Sequence, residues 1–148
     1  MRHKLTYLLF LLAVGTFLLV PTAGFSQYKL SWDDLYDVTF DQNPMLPDFA
    51  CPSFGEDLQA LDGVEVYLTG YVLPLNMEEN TYVLSAFTFA ACFFCGGAGP
   101  ESVLQLELKT ANRNYRTDEW KRFKGTFRLN DWNPENMYYI LEEAVEYE

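Results

Sequence analysis

Two cysteines separated by two residues are the part of this sequence with the clearest chemical potential. Cys92 and Cys95 open the segment Cys-Phe-Phe-Cys-Gly-Gly-Ala-Gly-Pro-Glu, residues 92–101. At this spacing both sulfurs can reach one point, so three outcomes are open. The thiolates can bind one thiophilic metal ion, they can form a reducible disulfide, or both can remain as buried free thiols. Free thiols are the least expected of the three in an oxidising compartment.

A zinc site would need more ligands than this pair supplies. Structural zinc is four-coordinate, and two thiolates provide half of the set. Glu101 lies six residues beyond Cys95, across a glycine turn that could fold its carboxylate back onto the sulfurs. Cys51 is the other candidate, although an odd cysteine is equally compatible with simple burial. We therefore expect zinc as the cofactor, with Cys92, Cys95, Glu101 and Cys51 as its candidate ligands.

The residues after Cys95 argue against a thioredoxin-type enzyme. Such a pair needs its first cysteine at the N-terminus of a helix, where the thiol pKa falls. A glycine-rich run that ends in proline will not propagate a helix. We interpret this run as a tight turn passing close to the sulfurs, in preference to an anion-binding nest. Its members are Gly96, Gly97, Gly99 and Pro100.

Phe93 and Phe94, between the two cysteines, are interpreted as core plugs or a hydrophobic shield. Two alternatives to metal binding stay open for the whole segment. One is a thiol–disulfide redox protein that uses Cys92–Cys95, and the other is a structural or interaction module in which the pair staples a turn.

The histidine content removes much of the remaining chemistry. The chain has one histidine, His3, which lies in the predicted leader described next. This excludes Ser-His-Asp and Cys-His catalysis and His-ligated zinc from the mature protein. The glycine-rich stretch also lacks the Gly-Lys-Ser/Thr ending of a nucleotide-binding loop. We expect a non-catalytic protein with no catalytic residues.

The first 26 residues have the layout of a secretory signal peptide. A basic start at residues 1–4 precedes an apolar run over residues 5–20, and Gly24-Phe-Ser26 offers small residues at the cleavage site. The apolar run is shorter than the roughly 20 residues that span a bilayer. We expect cleavage after Ser26 and a periplasmic or secreted protein. Membrane attachment is expected only if this segment stays uncleaved.

The mature chain is strongly acidic. Loss of the two positive charges of Arg2 and Lys4 changes the formal net charge from −11 to −13. Such a surface repels nucleic acid and anionic lipid, so neither is an expected partner. About 120 residues with many aromatic side chains are enough for one packed domain.

Two capping patterns predict short helices near the mature N-terminus. Ser31-Trp-Asp-Asp34 precedes one, with Leu35 and Val38 on one face, and Ser53-Phe-Gly-Glu56 precedes another that reaches Leu61. We therefore predict an N-terminal extension over residues 27–56.

The rest of the chain, residues 57–148, reads as β-structure. Apolar and polar residues alternate over 64–72 and again over 123–129, and apolar runs at 81–91 and 103–108 predict two more strands. Pro74 is expected to end the first strand. The last segment, residues 136–141, is ambiguous, because Asn133-Pro134 suits a helix start whereas Tyr138-Tyr-Ile140 favours a strand. We predict a strand there, since four strands need a closing partner to protect an edge. Five short strands predict a small all-β, OB-like barrel, with Val66, Leu68, Phe127 and Leu129 inside.

The chain resembles a family of small exported bacterial proteins, the domain of unknown function 3299 family. The resemblance rests on residues 61–74, 82–85 and 92–102, and on the closing segments 125–130 and 137–142. It implies an OB-like barrel and supports the fifth strand. It also implies an envelope transport or metal-homeostasis protein as partner, which favours the metal interpretation.

Overall fold

The computed structural model describes residues 27–42, 50–76, 81–110 and 114–147. The predicted signal peptide and its cleavage site after Ser26 lie outside the described residues. Within the described part of the chain, no helix is long and apolar enough to cross a membrane.

Five strands close into a barrel. They are β4 (Glu65–Asn76), β5 (Thr81–Ser85), β6 (Val103–Leu108), β7 (Glu119–Leu129) and β8 (Tyr139–Glu146). Their order is β4-β5-β6-β8-β7, and β7 pairs again with β4. The β6–β8 pair is parallel, and the other four pairs are antiparallel. This confirms the predicted small all-β, five-stranded barrel of the OB type.

The barrel interior follows the period-two pattern of the sequence. Val66 and Leu68 on β4 and Phe127 on β7 are fully or almost fully buried, as predicted. Leu129 is half-buried and packs against the core from its edge. Aromatic rings fill much of the space, since Tyr82, Tyr139, Phe123 and Phe127 are among the largest buried side chains.

Four predicted strand boundaries need correction, and one of them is the start of β7, which lies at Glu119 instead of residue 123. Strand β4 does not end at Pro74 but continues to Asn76, and Pro74 pairs with Tyr82 beside a bulge. Past Val72 the strand has β5 as its paired neighbour and no longer pairs with β7. An edge position next to a bulge tolerates a residue that lacks a backbone N–H.

The second and last strands also differ from their predicted ranges. The segment predicted as a strand over 81–91 leaves the sheet after Ser85, and Phe89–Ala91 forms a 3₁₀ turn. The last strand begins at Tyr139, later than the predicted residue 136, and continues to Glu146. Residues 86–91 and 136–138 include several types with high β-propensity, but their contacts in the folded protein place them in loops.

The N-terminal extension contains less helix and more strand than predicted. The first capping box is present: the backbone N–H of Ser31 donates to the Asp34 carboxylate at 2.8 Å, and the Asp34 N–H donates to Ser31 Oγ at 3.3 Å. It caps a single 3₁₀ turn, Asp33–Tyr36. Ser53 caps nothing, because it lies in a strand, and the short helix α1 (Glu56–Gln59) starts after Gly55.

Three further strands were not predicted. Strand β1 (Tyr28–Lys29) pairs in parallel with β4, and β2 (Val38–Gln42) forms an antiparallel sheet with β3 (Ala50–Phe54). The extension shares the barrel core, since its Leu30 and Leu35 are buried in the same cluster as the β4 residues Val66 and Leu68.

Candidate functional site

The cysteine pair lies in a loop over residues 86–102, which connects β5 to β6. Three 3₁₀ turns make up most of this loop: Phe89–Ala91, Phe93–Cys95 and Pro100–Ser102. Glu101 is its one charged residue. The chain therefore presents the pair on an almost uncharged segment of a strongly acidic protein.

Cys92 is the inner cysteine of the pair. Its side chain is fully buried, and its thiol donates to the backbone carbonyl of Phe89 at 3.1 Å. It packs with Leu73 and Val83 in a small cluster separate from the barrel core. Leu73 and Val83 are directly paired across β4 and β5, so their side chains share one face of the sheet. The loop thus folds onto the outside of the barrel and anchors itself there through Cys92.

Cys95 is the outer cysteine, exposed at the loop surface. Its backbone N–H donates to the Cys92 carbonyl at 3.1 Å, which closes the 3₁₀ turn between the two residues. Desolvation within the loop raises the pKa of the Cys95 thiol, and the neighbouring Cys92 thiol raises it further by its charge and by a hydrogen bond. The two residues are the ends of one hydrogen-bonded turn, so their side chains are neighbours. They are free and not joined as a disulfide.

The glycines after Cys95 make a tight turn beneath the sulfurs. Gly96 has a φ angle of 72°, the left-handed region in which glycine is least strained. The Gly97 N–H donates to the Cys92 carbonyl at 3.1 Å. A Cβ at Gly97 would lie 2.6 Å from the carbonyl oxygen of Ala91. Glycine is required at position 97 because two backbone segments pass close to each other there. This explanation fits better than an anion-binding nest.

The structure does not bring Glu101 or Cys51 to the pair. The Glu101 carboxylate folds over Gly99. With Asp37, its charge adds to the effect of burial, which is the main cause of the raised pKa of Tyr139. Cys51 is half-buried on β3, opposite Asp41. Among the described residues, no three His, Cys, Asp or Glu side chains form a group that could hold a metal ion.

The two phenylalanines between the cysteines are not core plugs. Phe93 is half-buried and Phe94 is 38% exposed, with their ring centroids 5.4 Å apart in an edge-on arrangement. Phe87 and Phe89 of the same loop are exposed as well. The loop that carries the exposed thiol therefore also exposes large apolar side chains instead of burying them in the interior.

Met137 packs near Cys92, and the sequence patterns did not reveal this placement. It is half-buried and packs against the cluster formed by Leu73, Val83 and Cys92. It lies 42 positions after Cys95 along the chain, in the connection between β7 and β8. No spacing rule links these residues; only the order of strands in the barrel brings them together.

The fold is similar to that of one solved protein. A DUF3299 family protein from Pseudomonas aeruginosa PAO1 matches with a TM-score of 0.53 at 18% identity, covering 83% of this chain and 97% of that chain. No protein-family model and no curated protein matches the chain. At this identity the likeness shows the fold alone. The predicted resemblance to this family is therefore supported for the fold. The similarity does not extend to a statement about the cysteine–glycine motif.

Proposed function

We propose that the mature protein is a non-catalytic binding module of the cell envelope whose Cys92–Cys95 pair takes up one thiophilic metal ion. The observation that carries the proposal is the placement of the buried Cys92 and the exposed Cys95 at the two ends of one hydrogen-bonded 3₁₀ turn. Two adjacent thiolates form a soft site that magnesium and calcium cannot use well. The acidic chain also raises the local concentration of cations.

Zinc is the ion that the sequence predicts, and it fits this proposal as a partly open site. Two protein thiolates would occupy two of its four positions. Because Cys95 is exposed, water or a group from another protein can reach the remaining positions. An open site of this kind is suited to handing on an ion instead of storing it.

The proposed partner is an envelope transport or metal-homeostasis protein that receives or delivers the ion. The exposed rings of Phe87, Phe89 and Phe94 support such an encounter, because apolar side chains in the same loop as the thiol can pack against another protein. Export to the envelope is part of the proposal. It rests on the signal-peptide layout of residues 1–26.

The test is metal stoichiometry of the purified mature protein, measured together with a free-thiol count. Reduced protein should bind about one zinc equivalent. Cys92→Ser and Cys95→Ser should each abolish binding. Glu101→Gln and Cys51→Ser are matched controls, and neither should change affinity, because neither side chain reaches the pair. A reduced protein that binds no zinc or copper at micromolar ion would overturn the proposal.

A thiol–disulfide protein is the second candidate, and the closeness of Cys92 and Cys95 in one turn supports it as well. The two thiols would lose two electrons and two protons to an oxidising protein disulfide, which would become a dithiol. The raised pKa of Cys95 weighs against it, because the thiolate is the attacking species and reactive cysteines have lowered pKa values. A quantitative Cys92–Cys95 disulfide in protein isolated without reductant, combined with no metal binding after reduction, would favour this candidate over the first.

A further inference from the structure

A methionine packs against the small apolar cluster that contains Cys92. Met137 packs on the cluster of Leu73, Val83 and Cys92 on the outer face of the barrel. Gln105 continues the cross-strand row that contains Leu73 and Val83, because it pairs directly with Val83. The loop over residues 86–102 and the connection between β7 and β8 both pack against this row, through Cys92 and Met137.

Polar side chains fix the backbone of Met137 on both sides. Gln105 Oε1 accepts a hydrogen bond from the Met137 N–H at 3.1 Å, and Asn130 Nδ2 donates to the Met137 carbonyl at 3.2 Å. Asn130 is 4% exposed and also donates to the carbonyls of Asn133 and Asn136. A loop held by one buried and one half-buried amide side chain presents its methionine in one place, as a ligand position requires.

The ligand chemistry of this group differs from that of zinc. Zinc is held by Cys, His, Asp and Glu, and the described residues offer no third member of that set at the pair. Combined thiolate and thioether ligands select Cu(I). We infer that Met137 supplies a thioether to a monovalent soft ion, Cu(I), that is held by Cys92 and Cys95. This inference rests on the proposed function and names the ion and the third ligand.

Binding would require no change in the oxidation state of the ion or of the protein. Cu(I) replaces the two thiol protons, which leave to solvent, and two S–Cu bonds form. The hydrogen bond from Cys92 to the Phe89 carbonyl is lost with its proton. Cys95 faces solvent and gives the ion its route of entry. Met137 then closes the buried side of the ion.

The test compares Cu(I) and zinc on the same variant. Reduced, anaerobic mature protein competes with a chromogenic Cu(I) chelator, and zinc affinity is measured in parallel. Met137→Leu should weaken Cu(I) binding roughly 10- to 100-fold, the scale seen when a group that supports a metal site is removed. Zinc affinity should stay unchanged, because the thioether is not a zinc ligand. The metal-free variant should unfold close to wild type, since leucine has a similar volume.

X-ray absorption at the copper edge gives a second, independent result. Wild-type protein should show three sulfur neighbours around Cu(I), and Met137→Leu should show two. Equal Cu(I) affinity and equal sulfur number in the two proteins would overturn the role of Met137. If Met137→Leu had no effect but Cys92→Ser still abolished metal binding, the proposed metal function would stand without a role for Met137. Wild-type protein that bound neither ion would overturn both.

Discussion

The barrel and the cysteine loop are both rich in apolar residues, but they use those residues in opposite ways. In the barrel, alternate side chains such as Val66 and Leu68 on β4 are buried in one core, and paired strands satisfy the backbone. In the loop, local 3₁₀ turns satisfy much of the backbone, and Phe89 and Phe94 remain exposed. The packed barrel core therefore provides most of the stability of the fold. The loop contributes less to stability, so its exposed side chains are available for binding.

This contrast has an energetic consequence. Removing core packing in the barrel should threaten folding, while changes at the loop surface should be tolerated. The loop has one buried apolar anchor, Cys92, on the outer face of the barrel. Regions with few buried contacts open at lower free energy than the core, which suits a site that must exchange its ligand.

The largest expected effect is on stability, from placing a charge in each region. Leu68→Asp buries a carboxylate in the core and should reduce the free energy of unfolding by roughly 3–5 kcal/mol. Phe94→Asp places the same charge on the exposed loop and should change it by less than about 0.5 kcal/mol. Urea denaturation of both variants measures the difference. A stable Leu68→Asp protein would show that the barrel interior has been assigned to the wrong face.

The next effect concerns pH and the site itself. Because the pKa of Cys95 is raised, its thiol is protonated at neutral pH and must lose a proton to bind an ion. Ion affinity should therefore rise with pH, by up to about tenfold per unit for each proton released, until the pH passes the thiol pKa values. Isothermal titration in buffers of different ionisation enthalpy counts the protons. An affinity that does not change between pH 6 and pH 8 would contradict thiolate ligation.

A smaller effect is expected from filling the glycine turn. Gly97→Ala would place a methyl group 2.6 Å from the Ala91 carbonyl oxygen and should cost roughly 1–3 kcal/mol. Gly96→Ala meets open space and should cost less, about 1 kcal/mol, from its positive φ alone. Gly97→Ala should also weaken ion binding, since the turn positions Cys92. Equal stabilities for the two variants would show that the close passage does not constrain the loop.

The smallest expected effect tests how the extension is attached to the barrel. The buried Tyr139 hydroxyl donates to the Leu35 carbonyl at 2.8 Å. Tyr139→Phe keeps the ring and removes this hydrogen bond, which should cost about 1 kcal/mol. Thermal unfolding should show a modest decrease in Tm while ion binding is unchanged. A Tm equal to that of wild type would mean that the Leu35 carbonyl finds another partner.

Much of the barrel could be predicted from the sequence, because its signal is local. Alternation over residues 64–72 and 123–129 depends on which face of a strand is buried, and that pattern can be read in any window. The hairpin of β2 and β3 was missed because its strands are short and Pro52 interrupts one of them. The end of β5 at Ser85 was missed because apolar residues continue into the loop.

The candidate site was predictable only in part, for the same physical reason. The spacing of Cys92 and Cys95 brings their thiols together through one local turn. The expected approach of Glu101 did not follow, because a 3₁₀ turn directs its carboxylate over Gly99. The neighbour that the fold does bring, Met137, depends on the pairing of β4 with β5 and of β5 with β6. Contacts of that kind depend on how distant strands pair, so no short stretch of sequence contains a pattern that predicts them.

The most direct measurement of the central claim is the alkylation rate of each cysteine with and without one equivalent of ion. Cys95 is exposed, so it should be alkylated in the reduced, ion-free protein at a measurable rate that rises with pH as the thiolate forms. With zinc or Cu(I) bound, its rate should fall strongly, because a coordinated thiolate is no longer free to attack. The rate at Cys51, which lies away from the pair, should not change, and mass spectrometry separates the two sites. An unchanged rate at Cys95 under saturating ion would contradict metal binding by this pair.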